Sequence, residues 1–287
     1  MTELRPLREA DLSRVDAVFT DVDGTLTTAG RLRSSTLAAV ERLDRAGVPV
    51  VLVTGRPAGF AEAWARTLPV AGVIAENGGL SVRLDRRGAL RKEYARPAAA
   101  RARDRRRLER VVQSALRAVP GARMSTDSRY TEVDLAIDID EEVRLGPEAA
   151  AKIEAFFARH GVNAVRSSVH VNAWIGPFDK AWMVRRFIRS VWKKRLASDD
   201  RRYVYLGDSL NDAPLFAAFG LSVGVANVRS VLGLLAHWPR FVTRAPEGAG
   251  FEELARAVLR AREVRRARQA RRAQKAPRAP QAPEVPR

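Results

Sequence analysis

The chain has 287 residues, 46% of them apolar and 29% charged, which is the composition of one large folded unit or of a domain carrying an insert. It has no cysteine, which excludes disulfides, thiolate catalysis and cysteine-ligated metals, and no apolar run approaching the ~18 residues a membrane-spanning helix needs. The net charge is +18, carried by 51 basic residues of which only six are lysine. In chain order, "DAVFTD" (16–21) reads as a buried strand and "SSTLAAVERLDRAG" (34–47) as a helix, with Ser34 or Ser35 as N-cap and Gly47 as stop. "VPVVLVTG" (48–55) reads as a strand, "AGFAEAWARTL" (58–68) as a helix and "AGVIAENGG" (71–79) as another strand. Strand and helix alternating at this spacing predict a parallel sheet with helical crossovers.

The pattern changes between residues 81 and 176. A basic helix (about 100–118), an alternating stretch "RYTEVDLAID" (129–138), a helix (about 147–160) and a paired-looking "AVRSSVHVNAWIG" (164–176) predict an α+β insert with an antiparallel sheet. The first style then returns. A helix (179–197), a strand (202–209), a helix (211–220), a strand (221–227), a helix (229–238), a strand (240–245) and a final helix from near Gly250 follow. The expected fold class is therefore α/β, a doubly wound parallel-sheet domain of residues 1–80 and 177–260 split by the insert at 81–176. Residues 261–287 are basic and Pro/Ala-rich and are expected to be disordered. The N-terminal "MTELRPLREADLSRVD" lacks a signal-peptide core, so a cytoplasmic location is expected and no membrane partner.

Two segments each carry a net charge of +8, Arg83 to Arg110 and Arg260 to Arg287. They raise the reading of a polyanion surface. An arginine-rich composition spread over solvated helix faces and a tail accounts for them as well, and nucleic acid is not expected as the main partner.

Chemistry concentrates at the carboxyl ends of the predicted parallel strands, where doubly wound sheets bind ligands. Four polar clusters fall there: Asp21/Asp23, Thr54–Gly55–Arg56, Glu76–Asn77–Gly78–Gly79, and Gly207 to Asp212 in "GDSLND". Carboxylates converging from neighbouring strands would repel one another and raise each other's pKa. A hard divalent cation relieves that, and oxygen ligands without Cys or His favour Mg²⁺. Asp21 does not begin a calcium loop, because position six is Leu26 rather than Gly and position twelve is Leu32.

"DVDGT", "TGR", a downstream lysine in "PFDKAWM" and "GDSLND" together resemble the four motifs of the haloacid dehalogenase-like hydrolases. The insert between the second and third motifs is similar to the α/β cap of the Cof-like, sucrose-phosphatase-like subfamily IIB. The resemblance covers about residues 15 to 260 and implies a Mg²⁺-dependent phosphatase. It implies that Asp21 is the nucleophile and Asp23 the general acid and base. Asp21, Asp208 and the backbone carbonyl of Asp23 would bind the metal, with Asp212 as a further ligand, directly or through water. Thr54 and Lys180 would complete the catalytic set, and a lysine at 180 in so arginine-rich a chain fits a need for a compact ammonium. Gly55, Arg56, Asn77, Gly78 and Asn211 are expected near the substrate, with Asn211 supporting the lysine.

In the insert, alternation places Val169 and Val171 on one face of a strand and His170, Asn172 and Trp174 on the other. Asn172 stands eight residues before Lys180, where Cof-like relatives carry an acidic residue that touches a sugar. Arg129 and Arg166 are candidates for a second anionic group of the substrate. The expected activity is hydrolysis of a small phosphorylated metabolite, a sugar phosphate or related monoester. A phosphosugar mutase and a polyanion-binding protein are the alternatives.

Overall fold

The computed structural model describes residues 4–167 and 169–275. The chain begins β1 (Arg5–Pro6), β2 (Ala17–Thr20), α1 (Ser34–Arg45), β3 (Val50–Val53), α2 (Ala58–Thr67), β4 (Gly72–Ala75) and the hairpin β5 (Leu80–Leu84) and β6 (Leu90–Tyr94). It continues with α3 (Ala98–Ala118), β7 (Arg123–Met124), β8 (Leu135–Asp138), α4 (Gly146–Arg159), β9 (Asn163–Arg166) and β10 (His170–Trp174). It closes with α5 (Lys180–Trp192), β11 (Tyr203–Gly207), α6 (Ala213–Ala218), β12 (Leu221–Gly224), β13 (Phe241–Val242) and α7 (Glu247–Lys275).

Two sheets result. The larger has the order β1-β13-β12-β11-β2-β3-β4-β5-β6, and the smaller β7-β8-β10-β9. In the larger sheet β12, β11, β2, β3 and β4 pair in parallel. Their continuous apolar runs, such as Val50–Val53, are buried throughout, as strands covered on both faces must be. One face packs α1, α2 and α7 through residues such as Val40, Ala61 and Phe251. The other packs α5 and α6 through residues such as Phe187, Ile188 and Phe216. Each large apolar side chain so buried contributes roughly 1.5–3 kcal/mol before chain entropy is counted. The smaller sheet sets Leu135, Ile137, Val171 and Ala173 against Leu108, Val112 and Phe157 of α3 and α4. By the period of two, His170, Asn172 and Trp174 turn the other way, away from these helices.

The structure departs from the expected elements at four places. Residues 80–94 form a hairpin that extends the large sheet, with Ile74 opposite Ser81, although the insert was expected from residue 81. The chain reverses there through consecutive left-handed residues, Glu76, Asn77 and Gly78, at φ 50, 53 and 96°. Only Leu135–Asp138 of the stretch 129–138 is strand. The backbone N–H groups of Glu132, Val133 and Asp134 donate instead to the carboxylate of Glu76, at 2.9, 2.6 and 3.0 Å, so no ladder can use them. The helix expected over 229–238 is replaced by the 3₁₀ turns Ala226–Ser230 and Leu232–Leu234. Finally, α7 runs to Lys275, through residues expected to be disordered from 261. Arg and Ala are strong helix formers, and Arg262 and Arg265 tie the helix back to the carbonyls of Val15 and Ser13. The rest of that expected tail, 276–287, lies outside the described residues.

Candidate active site

Parallel registry brings the predicted strand ends together. Thr20 lies opposite Leu206 and Leu52 on either side, so the next residues, Asp21, the β11 end with Asp208, and Thr54, emerge side by side. Lys180 opens α5, whose N-cap Asp179 accepts the N–H of Trp182 at 2.6 Å. Its Nζ donates to Asp21 Oδ1 and to Asp212 Oδ1, both at 2.8 Å, and the residue is 2% exposed. Carboxylate oxygens of Asp21, Asp208 and Asp212 lie within 4.8 Å of one another.

Neighbours hold each acid in place. Asp208 Oδ1 accepts from Thr25 Oγ1 at 2.7 Å and its Oδ2 from Asn227 Nδ2 at 2.9 Å, while Asn227 Nδ2 also donates to the carbonyl of Gly24 at 3.0 Å. Asp212 Oδ1 also accepts from Tyr205 at 2.5 Å, and its Oδ2 from the N–H groups of Asp208 and Ser209 at 2.9 and 3.1 Å. Close approach requires glycine twice here: a Cβ at Gly24 would stand 2.7 Å from Asp208 Oδ2, and one at Gly207 2.4 Å from Asp212 Oδ2.

The electrostatics are unbalanced. Burial pushes the Asp21 carboxyl well above its ordinary range; Lys180 opposes the shift and Asp212, Asp208 and Asp23 add to it. Burial, then Asp212, pushes Asp208 up to about 7, against the bond from Thr25 and the charge of Lys180. Burial disfavours the charged form of Lys180, but Asp21 and Asp212 outweigh it and hold the ammonium above its usual value. One buried ammonium faces several carboxylates. The all-oxygen donor set, its spacing and its surplus of negative charge fit a hard divalent cation such as Mg²⁺. Asp212 accepts at least two hydrogen bonds on each oxygen, Asp208 one on each, and Asp21 only that of Lys180 on Oδ1, so Asp21 is the least encumbered of the three and Asp212 the most.

The other predicted residues divide. Thr54 is buried and its Oγ1 accepts the N–H of Arg56 at 3.0 Å. Gly55 lies against Asn77 and Asn172, whose side-chain atoms would be 3.2 and 3.3 Å from a Cβ there. Asn172 Nδ2 reaches the Gly55 carbonyl at 3.4 Å and Asp134 Oδ2 at 3.3 Å, and Asn77 Nδ2 reaches the same Asp134 oxygen at 3.2 Å. Gly78 touches the chain at the start of α5, since its Cβ would stand 2.1 Å from the Asp179 carbonyl. Asn211 Oδ1 accepts from Ser209 Oγ at 2.8 Å, and the hydrogen bonds of Lys180 Nζ among the described residues go to Asp21 and Asp212 instead. Asp21, Asp23, Arg56, His170, Asn172 and Asn211 line a narrow pocket of about 10 Å³, room for about one water.

Three expectations for substrate contact change. Arg56 is not a free cation: Asp23, Asp127 and Glu141 surround its guanidinium. Arg129 is exposed over the ring of Tyr130, 5.1 Å from its centroid, and does not line the cavity. Arg166 lies 3.6 Å from Glu154 and lines a separate groove that also reaches Asp208 and Ser209. His170 does turn to the site, and its Nε2 lies 2.8 Å from Glu141 Oε2, without the in-line geometry of a hydrogen bond.

Thr25, Asn227, Tyr205, Asp127 and Glu141 were missed in the sequence. Thr25 directly follows the Asp21–Gly24 cluster and Asn227 closes a predicted strand, so position alone could have flagged both. Tyr205 reads only as a strand residue, Asp127 sits in the short 3₁₀ turn Thr126–Tyr130 and Glu141 in irregular chain, neither with a local signal.

The family model described as haloacid dehalogenase-like hydrolase matches residues 18–100. Proteins named phosphoglycolate phosphatase are similar over most of the chain. That of Methanosarcina mazei is 29% identical over 83% of this chain and 93% of its own length. That of Halorubrum lacusprofundi is 31% identical over 72% of this chain and 82% of its own length. Among solved structures, the sucrose-phosphatase of Synechocystis superposes with a TM-score of 0.60 at 14% identity, over 85% of this chain and 98% of that one. The chain therefore belongs to the haloacid dehalogenase-like hydrolases, in the capped subfamily IIB, and is a phosphoric monoester hydrolase.

Proposed function

We propose that the chain is a Mg²⁺-dependent phosphatase of a small phosphorylated metabolite, working through an aspartyl-phosphate on Asp21. The observation that carries this reading is the buried junction of Asp21, Lys180, Asp212 and Asp208 at neighbouring strand ends. Asp21 and Asp208, with the backbone carbonyl of Asp23, would hold the ion, and Asp212 would act behind them by fixing Lys180 and the 208–209 backbone. A bound Mg²⁺ offsets the repulsion between the Asp21 carboxylate and a phosphate dianion.

An oxygen of Asp21 attacks phosphorus in line, and the bond from phosphorus to the leaving oxygen breaks. Asp23 gives its proton to that oxygen. Water then attacks phosphorus, the bond to Asp21 breaks, and Asp23 takes back a proton from the water. Lys180 stays charged throughout and faces the oxygens that gain negative charge. Thr54 and the nearby N–H groups hold the phosphoryl oxygens. The unit built on the smaller sheet acts as a cap, and it moves to admit substrate, since the narrow pocket beneath it holds only about one water.

For substrate, the relatives named phosphoglycolate phosphatase make a small phosphorylated acid the first candidate, with sugar phosphates next. The test is phosphate release from phosphoglycolate, glycerol phosphate and hexose 6-phosphates, with Mg²⁺ and with EDTA. We expect turnover only with Mg²⁺ and a loss of roughly 10⁴-fold or more in Asp21→Asn. Hydrolysis of p-nitrophenyl phosphate by that variant at the parental rate would overturn the reading.

A further inference from the structure

Arg56 stands where the cap meets the catalytic loops, and its guanidinium spans three carboxylates. Its Nε donates to Asp23 Oδ1 and Oδ2 at 3.2 and 3.0 Å, and its Nη2 to Asp23 Oδ1 at 3.0 Å. The same Nη2 donates to Glu141 Oε1 at 2.9 Å, and Nη1 donates to Asp127 Oδ2 at 3.2 Å. Asp23 lies on the loop after β2, whereas Asp127 and Glu141 flank β8 in the smaller sheet. One rigid planar fork therefore joins the loop of the proton donor to two points of the cap.

Both cap acids are fixed within their own unit. Asp127 Oδ1 accepts from Ser125 Oγ at 2.6 Å. The N–H groups of Glu141 and Glu142 donate to Asp138 at 2.9 and 2.8 Å, which anchors the loop carrying Glu141 to the end of β8. On the core side, the Arg56 N–H is tied to Thr54 Oγ1 at 3.0 Å. The side chain of Arg56 is 14% exposed, so its contacts lie largely out of water, where geometry matters most. If the cap moved away, Arg56 would lose the Asp127 and Glu141 contacts and keep only Asp23, free to swing with it.

We propose that Arg56, Asp127 and Glu141 are positioning residues that aim the Asp23 carboxyl at the leaving oxygen when the cap is shut, so that proton delivery is completed by closure. The proposal rests on Asp23 being the proton donor. It separates cap closure from phosphate binding: the cap acids act on the leaving group through Arg56 and Asp23, and on phosphorus not at all.

Leaving-group basicity tests this. p-Nitrophenyl, phenyl and benzyl phosphate are similar in shape, but their leaving oxygens differ widely in their need for a proton. kcat/KM reports the first chemical step, in which that oxygen departs. In Asp127→Asn/Glu141→Gln we expect p-nitrophenyl phosphate to stay within about threefold of the parent and benzyl phosphate to fall roughly tenfold or more, with phenyl phosphate between. Each single variant should show a smaller version of the same tilt, which covers the case in which the double variant does not fold. Arg56→Lys should tilt the series alike, and adding the two cap substitutions to it should cost nothing further. Equal losses on all three esters, or no loss, would overturn the proposal. Asp23→Asn separates the layers. If it tilts the series while the cap variants do not, the coupling is wrong and the proton donor stands. If it leaves benzyl phosphate turnover at the parental level, both fall.

Discussion

Asp208 joins two properties that pull apart: it is buried beside Asp212, and it is one of three carboxylates whose oxygens lie within 4.8 Å of one another, where we propose that a cation binds. Its folded pKa of about 7 against an ordinary 3.8 means that, without metal, the folded state keeps a proton the unfolded chain has released between those values. Metal-free stability from this group therefore falls as pH rises from about 4 to about 7. A divalent cation competes with that proton, so its affinity rises over the same window and levels off above about 7. We expect Mg²⁺ to raise the thermal midpoint more at pH 8 than at pH 5, measured against EDTA at each pH. An equal shift at both would show that Asp208 does not face the ion.

Between elements, the turn Glu76–Gly78 is the joint that matters most. Glu76 is fully buried at a left-handed φ of 50°, a conformation that costs a non-glycine residue energy. Its carboxylate accepts the N–H of Ala58 at 2.8 Å from the start of α2, as well as those of Glu132, Val133 and Asp134. Burial raises its pKa, and the bonds from Glu132, Asp134, Ala58 and Val133 work to keep it charged. One side chain thus fastens the cap to the core at the end of β4, beside the point where Gly78 meets the first residues of α5. Glu76→Gln would point an amide N–H at backbone donors, and we expect a loss of about 1–3 kcal/mol in denaturant unfolding, with faster hydrogen exchange at 132–134. An unchanged midpoint and unchanged exchange would show that the joint is held elsewhere.

At the scale of the molecule, the charge of +18 and the chemistry are separated. The Arg-rich α7 buries Phe251, Leu254, Ala255 and Val258 in the core, but its residues from 263 to 269 are exposed. Surface segments of this kind contribute little to stability. A chain ending after Arg262, which keeps the bond to the Val15 carbonyl, should melt within a few degrees of the full chain and hydrolyse p-nitrophenyl phosphate within about twofold. Failure of that shorter chain to fold would show that the outer half of α7 is part of the structure and not an appendage.

The pattern of residues alone determined the parallel sheet and the meeting of the acids at one sheet edge. Continuous apolar strands separated by amphipathic helices admit few other topologies, and strand-end polar clusters must then share one edge. Asp21, Asp208, Asp212 and Lys180 were legible for that reason, 191 residues of separation between Asp21 and Asp212 notwithstanding. What only the tertiary structure decided were contacts made by side chains across units. The hairpin at 80–94 joined the core because a left-handed turn reversed the chain, and the Glu132–Asp134 backbone left the ladder because a distant carboxylate claimed its donors. Likewise the guanidinium of Arg56 meets Asp23, Asp127 and Glu141, two of them on the other unit. Local periodicity reports which face of an element is buried. It carries no record of which charge on another unit will lie opposite, because that depends on how the two units pack.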